Sequence, residues 1–249
     1  LILLLLKVFK ILSRKQQNRA KLGEGVIKAV VKFLEKPKTS KIAGEGANVI
    51  LNACYEKENV DIVLNCGGVK ALVGFLTTED QELQANAAGA IQSICFQAEG
   101  RDHVRDSGSI PHILKLLNTE DTKVQTRAVG ALHNMSSDPE TIRIIRREEG
   151  IPLLIDLLTS RSDSISGSAA GALQNVSREV ASRRIIRQLD AIPALSALLA
   201  ATDVQAQVCA AGALLNILGP DLGEDKSAPQ RKAFGKLLTS CVVLGVMYG

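Results

Sequence analysis

The chain repeats one short phrase five times, and this repetition limits the possible fold more than any other feature of the sequence. The phrase reads GANVILNAC, AAGAIQSIC, AVGALHNMS, AAGALQNVS and AAGALLNIL. Four copies carry an asparagine at the same position of an evenly spaced series, and one carries a serine: Asn52, Ser93, Asn134, Asn175 and Asn216. A period of roughly 41 residues predicts a helical solenoid, in which each unit buries its apolar faces only against its neighbours. Such a stack presents a long surface, which favours binding over catalysis.

The unit from Ser109 to Gly150 shows the helical pattern most clearly. The segment Ser109–Thr119 places apolar residues at the i, i+3, i+4, i+7 spacing of one helix face. Thr122–Ser137, which contains the repeated phrase, predicts a longer helix, and Glu140–Arg147 predicts a short one. Pro111 lies near the start of the first segment, where its missing N–H costs nothing. Each unit is therefore predicted to contain three helices.

The repeat register also predicts the domain organisation. Residues 1–24 are interpreted as the C-terminal part of a truncated preceding repeat. Five units follow at about 25–66, 67–108, 109–150, 151–190 and 191–240, with an insertion at 219–230, and residues 241–249 begin a further, incomplete repeat. Gly67, Gly108 and Gly150 occupy comparable junctions, where we expect the left-handed backbone of a helix end.

Composition narrows the function classes. Cys54 and Cys95 share one repeat position, no two of the five cysteines have C-x-x-C spacing, and the three histidines show no ligand spacing with them. These features predict buried thiols in a reducing compartment and no metal site. Leu1 to Leu6 is an apolar run far shorter than the roughly 20 residues of a membrane span. No basic segment precedes this run, so a signal peptide and secretion are unsupported.

Charge is distributed unevenly along the chain. Residues 1–41 contain eleven Lys/Arg and two acids, a net charge of +9, whereas residues 42–249 have a net charge of −5. A basic segment of this kind forms either a solvated helical face or a contact with an anionic partner.

The repeated phrase resembles that of armadillo repeats, which have three helices in about 41 residues and carry the asparagine in the third helix. The resemblance covers residues 12–240, and the fold class it implies is all-α, a right-handed α-solenoid of three-helix armadillo repeats. The phrase is most similar to the catenin and vacuolar armadillo type. The importin-alpha type has a tryptophan four residues before the asparagine, where this chain has Asn48, Gly89, Gly130, Gly171 and Gly212.

The resemblance implies a binding site for an extended peptide along a concave groove lined by the third helices. An asparagine amide offers a donor and an acceptor, so it can bind a peptide backbone whatever the side chains are. The implied groove residues are Asn52, Ser93, Arg127, His133, Asn134, Gln174, Asn175 and Asn216, with the most continuous run from Asn134 to Asn216. The same asparagines can instead satisfy a backbone group of their own or a neighbouring repeat. The glycines at this phrase indicate close helix packing or, alternatively, an open groove floor.

A second candidate site is a basic cluster near the edge of the solenoid. It comprises Arg143, Arg146, Arg147, Arg183, Arg184 and Arg187, which form either a patch for an acidic partner or a solvated, salt-bridged edge. Nucleic acid is disfavoured as a partner because few aromatic residues are present to stack on bases.

The sequence contains no nucleophile elbow, phosphate-binding glycine loop or metal motif, so we predict no enzymatic activity, no cofactor and no small-molecule substrate. GRDHVRDSG, residues 100–108, is interpreted as a helix with i, i+3 ion pairs. The predicted function is a cytoplasmic protein-interaction scaffold, with the cytoskeleton as one expected location, whose partners are extended protein segments or neighbouring subunits. Two alternatives remain open, a structural subunit of a cytoskeletal or axonemal assembly and a regulator of a small GTPase.

Overall fold

The computed structural model describes residues 1–219, and every regular element in that part of the chain is a helix. Most of the predicted insertion at 219–230, the rest of the fifth unit to residue 240 and the start of a repeat at 241–249 lie outside the described residues. Two short 3-10 segments, Phe75–Thr77 and Leu157–Thr159, extend neighbouring helices.

The helices repeat in groups of three, and in each group the asparagine position falls in the third helix. The first helices are α2 (Gln16–Arg19), α5 (Lys57–Asn65), α8 (Ala98–Asp106), α11 (Pro139–Arg147) and α14 (Val180–Gln188). The second helices are α3 (Gly23–Glu35), α6 (Gly68–Gly74), α9 (Ile110–Leu116), α12 (Gly150–Asp156) and α15 (Ile192–Leu198). The third helices are α1 (Ile2–Leu12), α4 (Ser40–Ala53), α7 (Gln81–Ile94), α10 (Thr122–Met135), α13 (Asp163–Val176) and α16 (Val204–Leu218).

The chain divides into two compact units, Leu1–Met135 and Ser136–Gly249. In the first unit α4 packs against α1 and α7, and α7 packs against α10; in the second unit α13 packs against α16. Small alanines allow this close approach, since Ala47, Ala87 and Ala131 are fully buried. Each unit therefore buries its apolar residues between successive repeats.

The third helices begin at capping side chains that recur with the repeat. Asp80 and Asp203 accept hydrogen bonds from backbone N–H groups of the first turn, as does Thr39 from Ile42. One turn later, the side-chain amide of Gln84 donates to the carbonyl of Leu76, and Gln125 repeats this bond with Leu117. The loop between the second and third helices is thus fixed by local hydrogen bonds.

A residue with left-handed backbone precedes the second helix in four groups, and in the first group it is Gly23, the first residue of α3. Gly67 and Gly108 have φ of 77° and 71°, as predicted. The prediction for Gly150 is wrong, because the left-handed residue there is Glu149, with φ of 55°. Asp190, with φ of 51°, occupies the same position one repeat later. The geometry follows the repeat even where the residue is not glycine.

Glu149 is therefore predicted to be a suboptimal residue at its position. A non-glycine residue in this conformation costs about 1–2 kcal/mol, whereas glycine costs only backbone entropy. We expect Glu149→Gly to raise the free energy of unfolding by about 1 kcal/mol, measured by urea denaturation. The matched change Gly108→Ala should lower it by a similar amount. A lower stability for Glu149→Gly would contradict this account of the junction.

Within residues 1–219 no single helix is long and apolar enough to cross a membrane. Lys57–Asn65 and Gly68–Thr77 reach the necessary length and composition only when counted together, and they are bent by 81° at their break. Cys54 and Cys95 are fully buried, and burial raises the pKa of both thiols.

Candidate binding surface

The repeated asparagines connect each third helix to the preceding repeat. In the first unit, Asn52 Nδ2 donates to the carbonyl oxygen of Lys10 at 3.1 Å and to Ser13 Oγ at 3.2 Å. In the second unit, Asn216 Nδ2 donates to the carbonyl oxygen of Gln174 at 3.0 Å and to Ser177 Oγ at 3.0 Å. The last carbonyls of a helix have no partner within that helix, so these amides act as C-terminal caps supplied by the next repeat.

The other two asparagines follow the same pattern. Asn134 Nδ2 donates to the carbonyl oxygen of Gln92 at 3.0 Å, and Asn175 Nδ2 donates to Ser136 Oγ at 3.1 Å. Asn175 is only 9% exposed, whereas the other three are partly exposed. The Nδ2 groups therefore donate hydrogen bonds to the preceding repeat, which is the alternative to a peptide contact that the sequence left open.

The acceptor side of the amide differs from the donor side. Each Nδ2 carries two hydrogens, and both are used at Asn52 and at Asn216. Within the described residues, the Oδ1 atoms of these two asparagines accept no hydrogen bond. Among the described residues, both side chains thus hold a fixed orientation and keep an acceptor that no donor uses.

The remaining predicted groove residues are placed less uniformly. Ser93 lies on the buried side of α7 and is only 2% exposed. The prediction that it contacts a peptide is therefore wrong. Arg127 Nη1 donates to Gln92 Oε1 at 3.3 Å. His133 is half-buried, and burial lowers the pKa of its imidazole.

The glycines of the phrase make room for side chains of the preceding repeat. A Cβ on Gly89 would overlap Leu51, and a Cβ on Gly130 would overlap the amide of Gln92. In the second unit, a Cβ on Gly212 would likewise overlap Gln174. Since Leu51, Gln92 and Gln174 each precede the asparagine position, the glycines serve close packing between third helices.

The other polar residues near the asparagine positions on the third helices are mostly neutral in the first unit. Asn48 Nδ2 donates to Asn86 Oδ1 at 3.1 Å, and Asn86 Nδ2 donates to the carbonyl oxygen of Gly44 at 3.2 Å. Glu45 occupies the position of Asn86 one repeat earlier. It is an acid, and it is ion-paired with Lys10. Little net negative charge is therefore left to attract a basic peptide.

Three arginines of the predicted basic cluster have internal roles. Arg183 is 1% exposed, and its Nη1 donates to the carbonyl oxygens of Ser177 and Arg178, both at 3.1 Å. Its assignment to a docking patch is wrong, because its guanidinium caps the end of α13. Arg187 Nε donates to the carbonyl oxygen of Ile217 at 2.7 Å.

Arg146, the third of these, forms a bidentate pair with Glu179, with distances of 2.8 and 3.1 Å. The other three arginines, Arg143, Arg147 and Arg184, remain exposed. The cluster therefore separates into an internal set and a surface set.

The segment GRDHVRDSG lies mainly in α8, and the predicted i, i+3 ion pair is present. Arg105 Nη1 and Asp102 Oδ1 are 2.8 Å apart. Among residues 1–219, no group of three His, Cys, Asp or Glu side chains is arranged to hold a metal ion.

Two features of this surface were missed from the sequence. Arg101 Nη1 caps the carbonyls of Cys95 and Phe96 just as Arg183 caps its own repeat, and the two arginines share one register position two repeats apart. The exposed rings of Tyr55 and Phe96, which occupy the same position in successive repeats, lie with centroids 6.0 Å apart. Aligning all repeat positions, and not only the asparagine phrase, would have indicated both.

Comparison with known proteins places these repeats in a family. The model of the armadillo/beta-catenin-like repeat matches residues 56–96, 97–137 and 138–178. These matches begin at the first helix, whereas the boundaries predicted from the sequence begin at the second; the period is shared and the starting point differs. No curated protein matches the sequence.

Several solved structures are similar to this chain in fold. An engineered protein is 29% identical, with a TM-score of 0.80 over 86% of this chain and 88% of that chain. A designed armadillo repeat protein is 22% identical, with a TM-score of 0.80 over 85% of this chain and 91% of that chain. Another designed armadillo repeat protein, in complex with the peptide (KR)4, is 23% identical, with a TM-score of 0.76 over 85% of this chain and 91% of that chain.

Proposed function

This chain is an armadillo-repeat protein, and from that premise we propose that it is a non-enzymatic scaffold that binds an extended protein segment along its third helices. The repeats form a protein-binding fold, and a designed armadillo protein of similar fold has been solved with a bound peptide. The proposal assigns binding to each unit by itself, to the surface that carries Asn52 and Asn134 in the first unit and to the surface that carries Asn175 and Asn216 in the second.

The observation that carries the proposal is the state of the asparagine amides. At Asn52 and Asn216 both N–H groups are bonded to the preceding repeat, so each Oδ1 is held in place. A bound segment can donate a backbone N–H to this oxygen without disturbing the contact between repeats. A fixed acceptor also loses little conformational entropy on binding, which favours affinity.

The chemistry near the asparagine positions favours a neutral or mixed segment over a strongly basic one. The positions that accompany the asparagines are Glu45, Asn86, Arg127, Ser168 and Cys209, which include one acid and one base. Glu45 is already ion-paired with Lys10. We therefore expect affinity to come from backbone hydrogen bonds and apolar side chains, with charge setting orientation.

The partner is thus expected to be a protein segment, and nucleic acid, a membrane span and a small-molecule substrate form no part of the proposal. Cytoplasmic localisation, association with the cytoskeleton and the catenin-type subtype stay predictions from the sequence.

A library of random, unstructured peptides selected on the immobilised protein tests the proposal. Asn52→Ala and Asn216→Ala should each weaken binding of the selected peptides about tenfold, because each removes one hydrogen-bond acceptor. Fluorescence anisotropy with a labelled peptide gives the affinity.

Controls separate binding from folding. Asn65→Ala and Asn118→Ala change exposed asparagines elsewhere and should leave the affinity unchanged. Asn216→Ala also removes one of two donors from the carbonyl of Gln174, which keeps its hydrogen bond from the Ser177 hydroxyl, so we expect a loss of about 1 kcal/mol in unfolding free energy. The titrations therefore belong at a temperature where circular dichroism shows every variant folded. If the selected peptides bind both alanine variants as tightly as the wild type, the asparagine surface is not the binding site.

A further inference from the structure

The first helices α5 and α8 of the first unit are acidic overall, whereas α11 and α14 of the second unit are basic overall, although Arg183 of α14 is buried. In the first unit, α5 and α8 each have a net charge of −1 with histidine neutral. In the second unit, α11 has a net charge of +2 and α14 has +3. At one repeat position the residue changes from Asp61 and Asp102 to Arg143 and Arg184. The fold accepts either sign at this position, so the arginines are not required for folding.

The basic face is exposed and only weakly neutralised. The side chains of Arg143 and Arg147 are 61% and 70% exposed, and they lie one helical turn apart on α11. Arg143 pairs with Glu140 at 2.7 Å, and Arg147 approaches Glu148 at 3.4 Å. Such exposed pairs contribute little energy and exchange readily with another carboxylate. Arg184 is exposed and forms no hydrogen bond or ion pair within residues 1–219.

Internal arginines hold this face in a fixed geometry. The bidentate pair between Arg146 and Glu179 joins the end of α11 to the residue before α14. Hydrogen bonds from Arg146 and Ser182 outweigh the effect of burial and lower the pKa of Glu179, so its carboxylate stays charged. Arg183, which is buried beside Arg184, anchors α14 to the end of α13.

We propose that Arg143, Arg147 and Arg184 form a docking surface for an acidic protein segment, separate from the asparagine surface. Each guanidinium can bind a carboxylate with two parallel hydrogen bonds. Residues 136–219 contain no Phe, Tyr, Trp or His, so the described part of this unit offers no ring on which a nucleic-acid base could stack. The nearby acids Glu148, Glu149 and Asp190 lie at the junctions after the helices, where they limit the length of the basic face.

The proposal is tested with a labelled oligoglutamate peptide and the purified chain at low and moderate salt. We expect binding that weakens with salt, and an affinity at least about tenfold lower for the triple variant Arg143→Gln, Arg147→Gln and Arg184→Gln. The matched control is Lys70→Gln, Lys115→Gln and Lys123→Gln, three exposed lysines of the first unit with the same change in net charge. This control should retain wild-type affinity.

Further binding measurements separate this surface from the asparagine surface and an acidic protein segment from other anionic ligands. Asn216→Ala should bind oligoglutamate as the wild type does, so that a failure of the asparagine surface leaves this test intact. The proposal is overturned if the wild type does not bind oligoglutamate, or if the arginine and lysine variants lose affinity equally. It is also overturned if oligothymidylate or phosphatidylserine vesicles bind more tightly than oligoglutamate.

Discussion

Replacing Arg183 with alanine is expected to lower the free energy of unfolding by about 3 kcal/mol, because two hydrogen bonds from a charged donor and the packing of a long side chain are lost together. The side chain is 1% exposed and caps the carbonyls of Ser177 and Arg178. Removal leaves both a cavity and carbonyl groups without their donor. Urea denaturation followed by circular dichroism measures the change.

Two variants serve as controls for this prediction. The equivalent position one repeat earlier is Ile142, which is also buried, so Arg183→Ile should fill the cavity and recover about half of the loss. Arg184→Ala, at the exposed neighbour, should change stability by less than about 0.5 kcal/mol. A change of that small size for Arg183→Ala would show that the buried guanidinium contributes nothing to the fold.

Gly100→Ala is expected to destabilise the protein by about 2 kcal/mol even though alanine is the better helix former. Gly100 lies in α8, against the backbone at the end of α7. An added Cβ would overlap the carbonyl oxygen of Ile94 and lie 2.9 Å from its carbonyl carbon. Because backbone atoms cannot move aside as a side chain can, the two helices must separate.

The matched control for Gly100 is Gly25→Ala in α3. Gly25 is also helical, but nothing lies within 4 Å of an added Cβ there. We therefore expect a gain of up to about 1 kcal/mol from helix propensity alone. Equal effects at the two positions would contradict the packing described for the junction between α7 and α8.

The repeat and the fold class were predictable from the sequence because the phrase around the asparagine recurs at a fixed interval. The all-α fold of three-helix armadillo repeats is confirmed. The helix boundaries also agree closely, since Thr122–Met135 differs from the predicted helix by two residues at one end. Periodicity, caps and proline positions are local signals, so a single sequence contains them.

The contacts between repeats were harder to predict. Nothing local indicates that Asn216 bonds the carbonyl of Gln174, which lies in the preceding repeat. The left-handed backbone at Glu149 was also not predictable from the sequence, because the repeat geometry imposes it at a residue that is not glycine. The burial of Arg183 depends on the end of α13, which only the folded structure brings to it.

The proposed function is tested most directly by the affinity of a selected peptide whose backbone nitrogens are methylated one at a time. Methylation removes a single N–H donor and leaves the side chains unchanged. Successive N–H groups of an extended segment point to opposite sides. We therefore predict losses of about tenfold at alternate positions, and equal affinity at the positions between them. Equal affinity for every methylated peptide would show that the asparagine oxygens do not bind the backbone of the segment.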